Sequence, residues 1–356
     1  MRILHVITDA DRRGAQVYAT DLSGGLRELG CESDVVALAP GRHGIPLDVD
    51  CLGPARYDLR TWRNLRRRAG TYDCVVAHGS STLVSSAVAL AGAGVPFIYR
   101  QISDPLHWAA SPFRRARVAF YLRRTAAIVA LSQGAAEVLV RHYRLRRNRI
   151  RVIPNAVPEN GFGSDPRQAA VLRKQIGAAT DDCVCLYLGA LVLEKGVDIA
   201  ISTTGATSRM HLVVVGDGPA RTELERLAAH VAPGRVHFLG SSDRPSEVLS
   251  AVDMLLLPSR AGDSMPAVVI EAGLSSLPCV TTPVGSITDV VVDGSTGIVT
   301  PIGDQQAFDD AVGALSVDVE RREQLGAAAR ERCLQRFTIA TTAGDWKTLI
   351  ENALGS

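Results

Sequence analysis

Between residues 261 and 320 the chain has neither lysine nor arginine. Glu271 falls inside that gap, eight residues after Asp263, in a stretch otherwise mostly apolar or small, SMPAVVIEAGLSS. A carboxylate in such surroundings is costly unless something hydrogen-bonds it. No local cation is available, so the hydroxyl groups of a ligand become the natural partners, and sugars are rich in them.

Other absences exclude whole classes. The longest weakly polar run, Leu83 to Tyr99, contains two serines, two glycines and a proline. It is short for a bilayer span and reads as a buried helix followed by a strand. The opening MRILHVITDADRRG runs straight into a strand-like segment without a signal-peptide pattern, which leads us to expect a cytoplasmic protein. The seven cysteines are odd in number, scattered, and lack zinc or redox spacing. Cys183 and Cys185 share one face of a predicted strand, as small reduced core residues do. No acidic cluster suggests a required divalent metal, so neither a metal nor a separate cofactor is expected. No nucleic-acid motif accompanies the arginines.

Lysine is also missing from residues 1–160, which hold 23 arginines against 13 acidic residues, a balance of +10. Residues 161–356 carry 16 basic and 24 acidic groups, a balance of −8. Such asymmetry speaks of partners rather than fold. An anionic acceptor or an anionic membrane surface suits the first half. The segment HWAASPFRRARVAFYLRRT, beginning at His107, sets Trp108, Phe113, Phe120 and Tyr121 among five arginines. It reads either as a peripheral membrane or lipid-phosphate contact, or as a helix with aromatics inward and arginines solvated.

What is present is alternation. Strand-like segments at 2–8, 33–39, 73–77, 95–100, 127–131 and 150–153 interleave with helical ones at 15–29, 82–92 and 134–143. A second series has strands at 183–189, 211–216, 235–239, 253–258 and 278–282, with helices at 219–231, 266–276 and 304–315. This is the pattern of parallel α/β units, and a length of 356 residues predicts two domains. The Pro-, Gly- and Asn-rich PNAVPENGFGSDP, 154–166, divides the series. The expected division is 1–158, a linker at 159–165 and 166–337, with a helix at about 338–356 crossing back to the first domain. Open α/β sheets bind ligands beyond their strand C-termini, so two doubly wound sheets are expected to present those edges to a shared central cleft.

With these segments in view, the chain resembles the retaining glycosyltransferases of family 4, which have the GT-B architecture of two Rossmann-like domains. The resemblance rests on RRGAQVYATDLSGGLRELG (12–30), AAIVALSQGAAEVLVRHY (126–143), NRIRVIPNAV (148–157), LYLGALVLEKGVDIAI (186–201), LVVVGDGPARTELERLA (212–228), VHFLG (236–240) and 253–297, and so covers nearly the whole length. It implies transfer of a hexosyl unit from a uridine- or guanosine-diphosphate sugar to a sugar, lipid-linked glycan or small-molecule acceptor, with retention and without metal. Two other activities suit the architecture: a nucleotide-sugar epimerase and a non-catalytic nucleotide-sugar-binding subunit.

The family's paired glutamates fall here on Asp263 and Glu271. By resemblance Glu271 holds the donor ribose and Asp263 approaches the transferred sugar. The alternatives are a carboxylate satisfied by protein groups alone for Glu271 and a loop residue capping the next helix for Asp263. Pro266 suits a first-turn position, and N–H groups around Ser264, Met265, Pro266 and Ala267 would face a polar ligand. Lys195, in LEKG, is the expected cation for the leaving diphosphate. Ala190 stands where a second cation, an arginine, is usual, and Arg13 or Arg260 is the expected substitute. Gly14, Gly189, Gly216 and Leu239 complete the implied donor surface. His78, in VVAHGSST, is implied as a catalytic or acceptor-orienting residue or else is a hydrogen-bonded histidine at a sheet edge. Arg100, Gln101 and Asp104 are the remaining acceptor-side candidates.

Overall fold

The computed structural model describes residues 1–42, 46–103, 111–242 and 244–355, and its chain forms two α/β units. Met1–Pro158 together with Thr338–Ser356 make the first, and Glu159–Phe337 the second. In the first unit, strands β1 (Arg2–Ile7), β2 (Glu32–Ala37), β3 (Asp50–Cys51), β4 (Cys74–His78), β5 (Phe97–Arg100), β6 (Ala127–Ala130) and β7 (Ile150–Val152) form one parallel sheet. Its order is β3-β2-β1-β4-β5-β6-β7. Helices α1 (Gly14–Glu28), α2 (Leu59–Ala69), α3 (Ser80–Ala89), α4 (Pro112–Leu122) and α5 (Gln133–Tyr143) connect the strands.

The central strands read as unbroken apolar runs because both faces of a parallel sheet are covered. Side chains alternate between those faces. Leu4, Val6, Val75 and Ala77 pack beneath α2 to α5 with Leu65, Leu83, Leu122 and Leu139. Ile3, Cys74, Val76 and Ile98 lie on the other face with Tyr18, Leu22 and Leu26 of α1.

The second unit holds β8 (Cys183–Leu188), β9 (Met210–Val215), β10 (Val236–Gly240), β11 (Met254–Leu257), β12 (Cys279–Thr281) and β13 (Gly297–Val299). These also pair in parallel, in the order β10-β9-β8-β11-β12-β13. Its helices are α6 (Pro166–Ile176), α7 (Val197–Ala206), α8 (Arg221–Val231), α9 (Pro245–Leu249), α10 (Ala267–Leu274), α11 (Ile287–Val290), α12 (Gln305–Val317) and α13 (Val319–Arg336). The last helix, α14 (Ile339–Leu354), belongs to the first unit. A reciprocal cap between Thr338 and Thr341 starts it, and Trp346, Leu349 and Ile350 seat it on the α1 face of the sheet.

Strands β3 and β13 escape the sequence pattern: β3 has only two residues, and β13 opens on a glycine directly after the turn-like stretch 293–296. In both sheets the strand order reverses direction at the middle, between β1 and β4 and between β8 and β11. Loops leaving such neighbouring strands diverge and open a crevice, the usual ligand position in this class of sheet.

Candidate functional site

In the second unit, the loop after β8 carries Lys195 in a single 3-10 turn, Leu193–Lys195, and the loop after β11 carries Asp263. Because β8 and β11 pair directly, the two loops meet. Lys195 Nζ donates to Asp263 Oδ1. Ser259 Oγ donates to the other carboxylate oxygen at 2.5 Å. The Asp263 side chain is only 5% exposed and Lys195 22%, so water screens the pair weakly. Tyr187, at the end of β8, has its hydroxyl pKa raised by burial and then by the Asp263 charge. Its hydroxyl donates to Ala190 O at 2.9 Å.

Asp263 therefore does not cap the following helix. The cap position of α10 is Pro266, with extended backbone (φ −68°, ψ 132°) and no side-chain cap. Helical geometry begins at Ala267, one residue later than a first-turn proline would require. Its first-turn N–H groups, which no helix carbonyl satisfies, thus start beside the Asp263 loop. Glu271 sits half-buried one turn further on.

Backbone packing holds these loops. The loop after β12 supports the Asp263 loop, with Ser286 N donating to Ser264 O at 2.5 Å. Gly285 (φ +61°) lies so close that a Cβ would sit 2.2 Å from Asp263 O. Gly216 (φ +144°) likewise presses on the loop after β8, where a Cβ would meet Gly189 O at 1.8 Å. These two positions are glycine because neighbouring main chain occupies the side-chain space. Leu239 lies in a register irregularity of β10 and is 39% exposed.

Arg260, an expected substitute for the arginine absent at Ala190, is paired within its own unit. Its guanidinium makes two 2.7 Å bonds to the Asp198 carboxylate on α7, and its N–H donates to Glu194 O at 2.7 Å. It braces the Lys195 loop from behind. Arg13, in the first unit, is likewise engaged, donating to both Asp9 oxygens at 2.6 Å, although it stays 58% exposed.

At the reversal point of the first sheet, a cavity of about 330 Å³ opens beyond β1, β4 and β5. Arg13, Gln16, Arg56, Ser80 and Ser81 give it a polar wall, and His78 reaches it from below. Gly14 starts α1 with nothing within 4 Å of its would-be Cβ. Sequence reading missed Arg56, Ser81 and Ser259. Ser259 alone had a signal, its place just past a strand end.

His78, Arg100 and Gln101 prove to be inside the unit, at 2%, 1% and 1% exposure. Alternation explains the first two: His5, His78 and Arg100 share the sheet face that α1 and α14 cover. His5 Nδ1 and His78 Nε2 bond at 2.9 Å. The Arg100 guanidinium lies 3.5 Å from the Tyr18 ring centroid and donates to Asn155 Oδ1 at 2.8 Å. Gln101 donates to Ser103 O. Arg100 and Gln101 thus underlie the edge instead of lining it; Asp104 falls outside the described residues.

Burial lowers the pKa of both histidines, that of His5 to about 3, with Arg27 adding to the effect at His5 and Arg100 at His78. Both are neutral at pH 7. The unfolded chain takes up protons near pH 6.5 whereas the folded one resists, so stability falls as pH drops below 6.5. The expected slope is about 1.4 kcal/mol per pH unit for each histidine. Urea unfolding of the first unit at pH 7, 6 and 5 measures it; His78→Gln should flatten the slope, and a flat wild-type profile would contradict the assignment.

Comparison with known proteins places this arrangement. A family model described as "Glycosyltransferase Family 4" matches residues 12–160, and one described as "Glycosyl transferases group 1" matches 169–332. The chain belongs to the glycosyltransferases of this type. Among curated relatives, the alpha-D-kanosaminyltransferase of Streptomyces kanamyceticus is 28% identical over 267 residues, covering 72% of this chain and 66% of that one. A D-inositol 3-phosphate glycosyltransferase of Xylanimonas cellulosilytica is 33% identical over 57% of this chain and 52% of its own length. The match to these first relatives thus spans about half to two thirds of their length. The alpha-maltose-1-phosphate synthase of Mycolicibacterium smegmatis, 26% identical, is covered over 93% of both chains.

Among solved structures, HepE of Anabaena in complex with UDP aligns with TM-score 0.86 at 22% identity, over 99% of this chain and 100% of that one. The sucrose-phosphate synthase of Thermosynechococcus elongatus aligns at 0.82 and 18%, over 100% of each. These likenesses establish the GT-B fold of the glycosyltransferase chain. Among its described residues no helix is long and apolar enough to cross a membrane, and no group of three His, Cys, Asp or Glu side chains could hold a metal ion.

Proposed function

We propose that this protein transfers a hexosyl unit, with retention of configuration, from a uridine- or guanosine-diphosphate sugar to a hydroxyl of an acceptor. The observation that carries the reading is the Lys195–Asp263 pair at the point where the second sheet reverses. Departure of a nucleoside diphosphate builds negative charge, and a prepositioned cation stabilises it. Asp263 fixes that cation and Ser259 fixes Asp263, which reduces the reorganisation needed during reaction.

In this reading Glu271 binds the donor ribose, and the N–H groups from Ser264 to Ala267 face the transferred sugar and its phosphates. The second unit holds the donor; HepE, which shares the fold, has been solved in complex with UDP and with UDP-glucose. The first unit holds the acceptor in the Arg13–Arg56 cavity. Its guanidinium groups and serine hydroxyls suit the polar head of an acceptor. The transfer uses protein groups without a resident metal, in the cytoplasm.

A thermal-shift panel of nucleotide sugars tests the donor assignment. The matching donor at about 100 times its Kd should add about 2.7 kcal/mol of stability. Product analysis with and without candidate acceptors then separates transfer from epimerisation. Stabilisation by no nucleotide sugar would overturn the reading.

A further inference from the structure

The aromatic and arginine-rich segment noted in the sequence lies partly on α4, and the donor chemistry makes no use of it. There a second cavity, about 570 Å³, runs between the end of the loop before α2, α3 and α4. Its floor is apolar: Trp62, Leu83, Val84, Val118 and Tyr121. Arg114 and Arg117 stand on its rim. Neither guanidinium has a hydrogen-bond or carboxylate partner among the described residues. A groove that combines a hydrocarbon-like floor with unpaired cations at the edge is complementary to a chain ending in an anion.

The groove also adjoins the polar cavity, because Ser80 lines both. Arg56 lines the polar side and its neighbour Tyr57 the apolar side. Their loop is anchored to α3, with Ser85 Oγ donating to Arg56 O at 2.7 Å and Trp62 Nε1 donating to Ser85 Oγ at 3.2 Å. A fixed junction therefore separates a polar pocket from an apolar one, with arginines on both sides of it.

We infer that the groove between α2, α3 and α4 holds the hydrocarbon chain of an amphiphilic acceptor, whose phosphate lies at the Arg114–Arg117 rim and whose polar head enters the Arg13–Arg56 cavity. This inference rests on the proposed transferase reading and specifies its acceptor as a phosphate-linked lipid.

A homologous series of butyl, octyl and dodecyl phosphate, titrated below micelle formation with the intact protein, tests it by calorimetry. Each methylene that enters an apolar site strengthens binding about fourfold. Dodecyl phosphate should bind at least tenfold more tightly than butyl phosphate, inorganic phosphate or the uncharged dodecyl maltoside. Val84→Glu, and separately the exposed-site variant Tyr57→Glu, should weaken it at least tenfold. Arg114→Glu with Arg117→Glu should do the same. All variants should keep the wild-type melting temperature and its shift with nucleotide sugar.

Affinity independent of chain length, or retained in both groove variants, would overturn the inference. So would co-sedimentation with phosphatidylglycerol vesicles that the double arginine variant abolishes and Val84→Glu leaves intact, because that pattern marks a surface contact. Absence of any nucleotide-sugar shift in wild type sinks the transferase reading instead, and the alkyl-phosphate series reports on the groove regardless.

Discussion

Lys195→Ala is expected to lower the rate of sugar transfer by about 10²–10³-fold, the usual consequence of removing one preorganised group that meets developing charge. The same substitution should cost stability. It leaves the Asp263 carboxylate, 5% exposed, with Ser259 as its remaining donor in the pair's surroundings. Breaking a buried pair from one side costs about 3–5 kcal/mol; Lys195 at 22% exposure places this case near the lower end, about 3 kcal/mol. Asp263→Asn on top of Lys195→Ala removes the stranded charge while keeping an acceptor for Ser259. The double variant should regain at least about 1 kcal/mol relative to Lys195→Ala, a coupling typical of contacting residues, yet regain no activity. Denaturant unfolding and initial rates of the four proteins complete the cycle. A Lys195→Ala protein that loses stability yet keeps its transfer rate would instead mark a purely structural role for Lys195.

Trp346→Ala carries the largest expected effect on folding. Trp346 is fully buried on α14, and its Nε1 donates to the Tyr18 hydroxyl at 2.8 Å. Its ring centroid lies 6.4 Å from that of His78. The substitution removes a large core side chain and one hydrogen bond of the buried Tyr18 hydroxyl, at a cost of about 3–5 kcal/mol. At about 2–4 °C per kcal/mol for a unit of this size, melting of the first unit should fall by roughly 6–20 °C. Trp346→Phe, which keeps an aromatic ring in the core but loses the N–H and part of the ring volume, should cost less than Trp346→Ala. A melting temperature within 2 °C of wild type for Trp346→Ala would show that α14 is dispensable to the first unit.

These two residues mark where sequence reading succeeds and where it stops. The helix carrying Trp346 is legible as an amphipathic segment, and the apolar runs such as HLVVV and MLLL are legible as strands covered on both faces. Local pattern carries that information. The partners of Lys195 and Arg260 are different in kind: Asp263 lies 68 residues from Lys195, and Asp198 lies 62 residues from Arg260. Both contacts exist because the sheet order sets β8 against β11, and no spacing encodes that order. Arg100 ends the strand FIYR and reads as an exposed edge residue, until the Tyr18 ring from α1 and Asn155 close over it.

Family resemblance supplies roles for Lys195 and Glu271, whereas the geometry supplies a partner. Lys195 is neutralised by Asp263, the carboxylate that the resemblance assigns to the sugar. In the proposed mechanism the incoming diphosphate shares Lys195 with Asp263, and the sugar hydroxyls take up part of what the carboxylate gives. The shorter aspartate suits this arrangement, since Ser259 and Lys195 already draw it to the sheet edge.

Calorimetric titration of wild type and Lys195→Ala with the preferred nucleoside diphosphate, and with the matching nucleoside, tests the central claim most directly. The account predicts that the diphosphate binds wild type far more tightly than the nucleoside does. It also predicts that Lys195→Ala erodes that preference at least tenfold while leaving nucleoside affinity unchanged. Equal diphosphate affinity in the two proteins would contradict it.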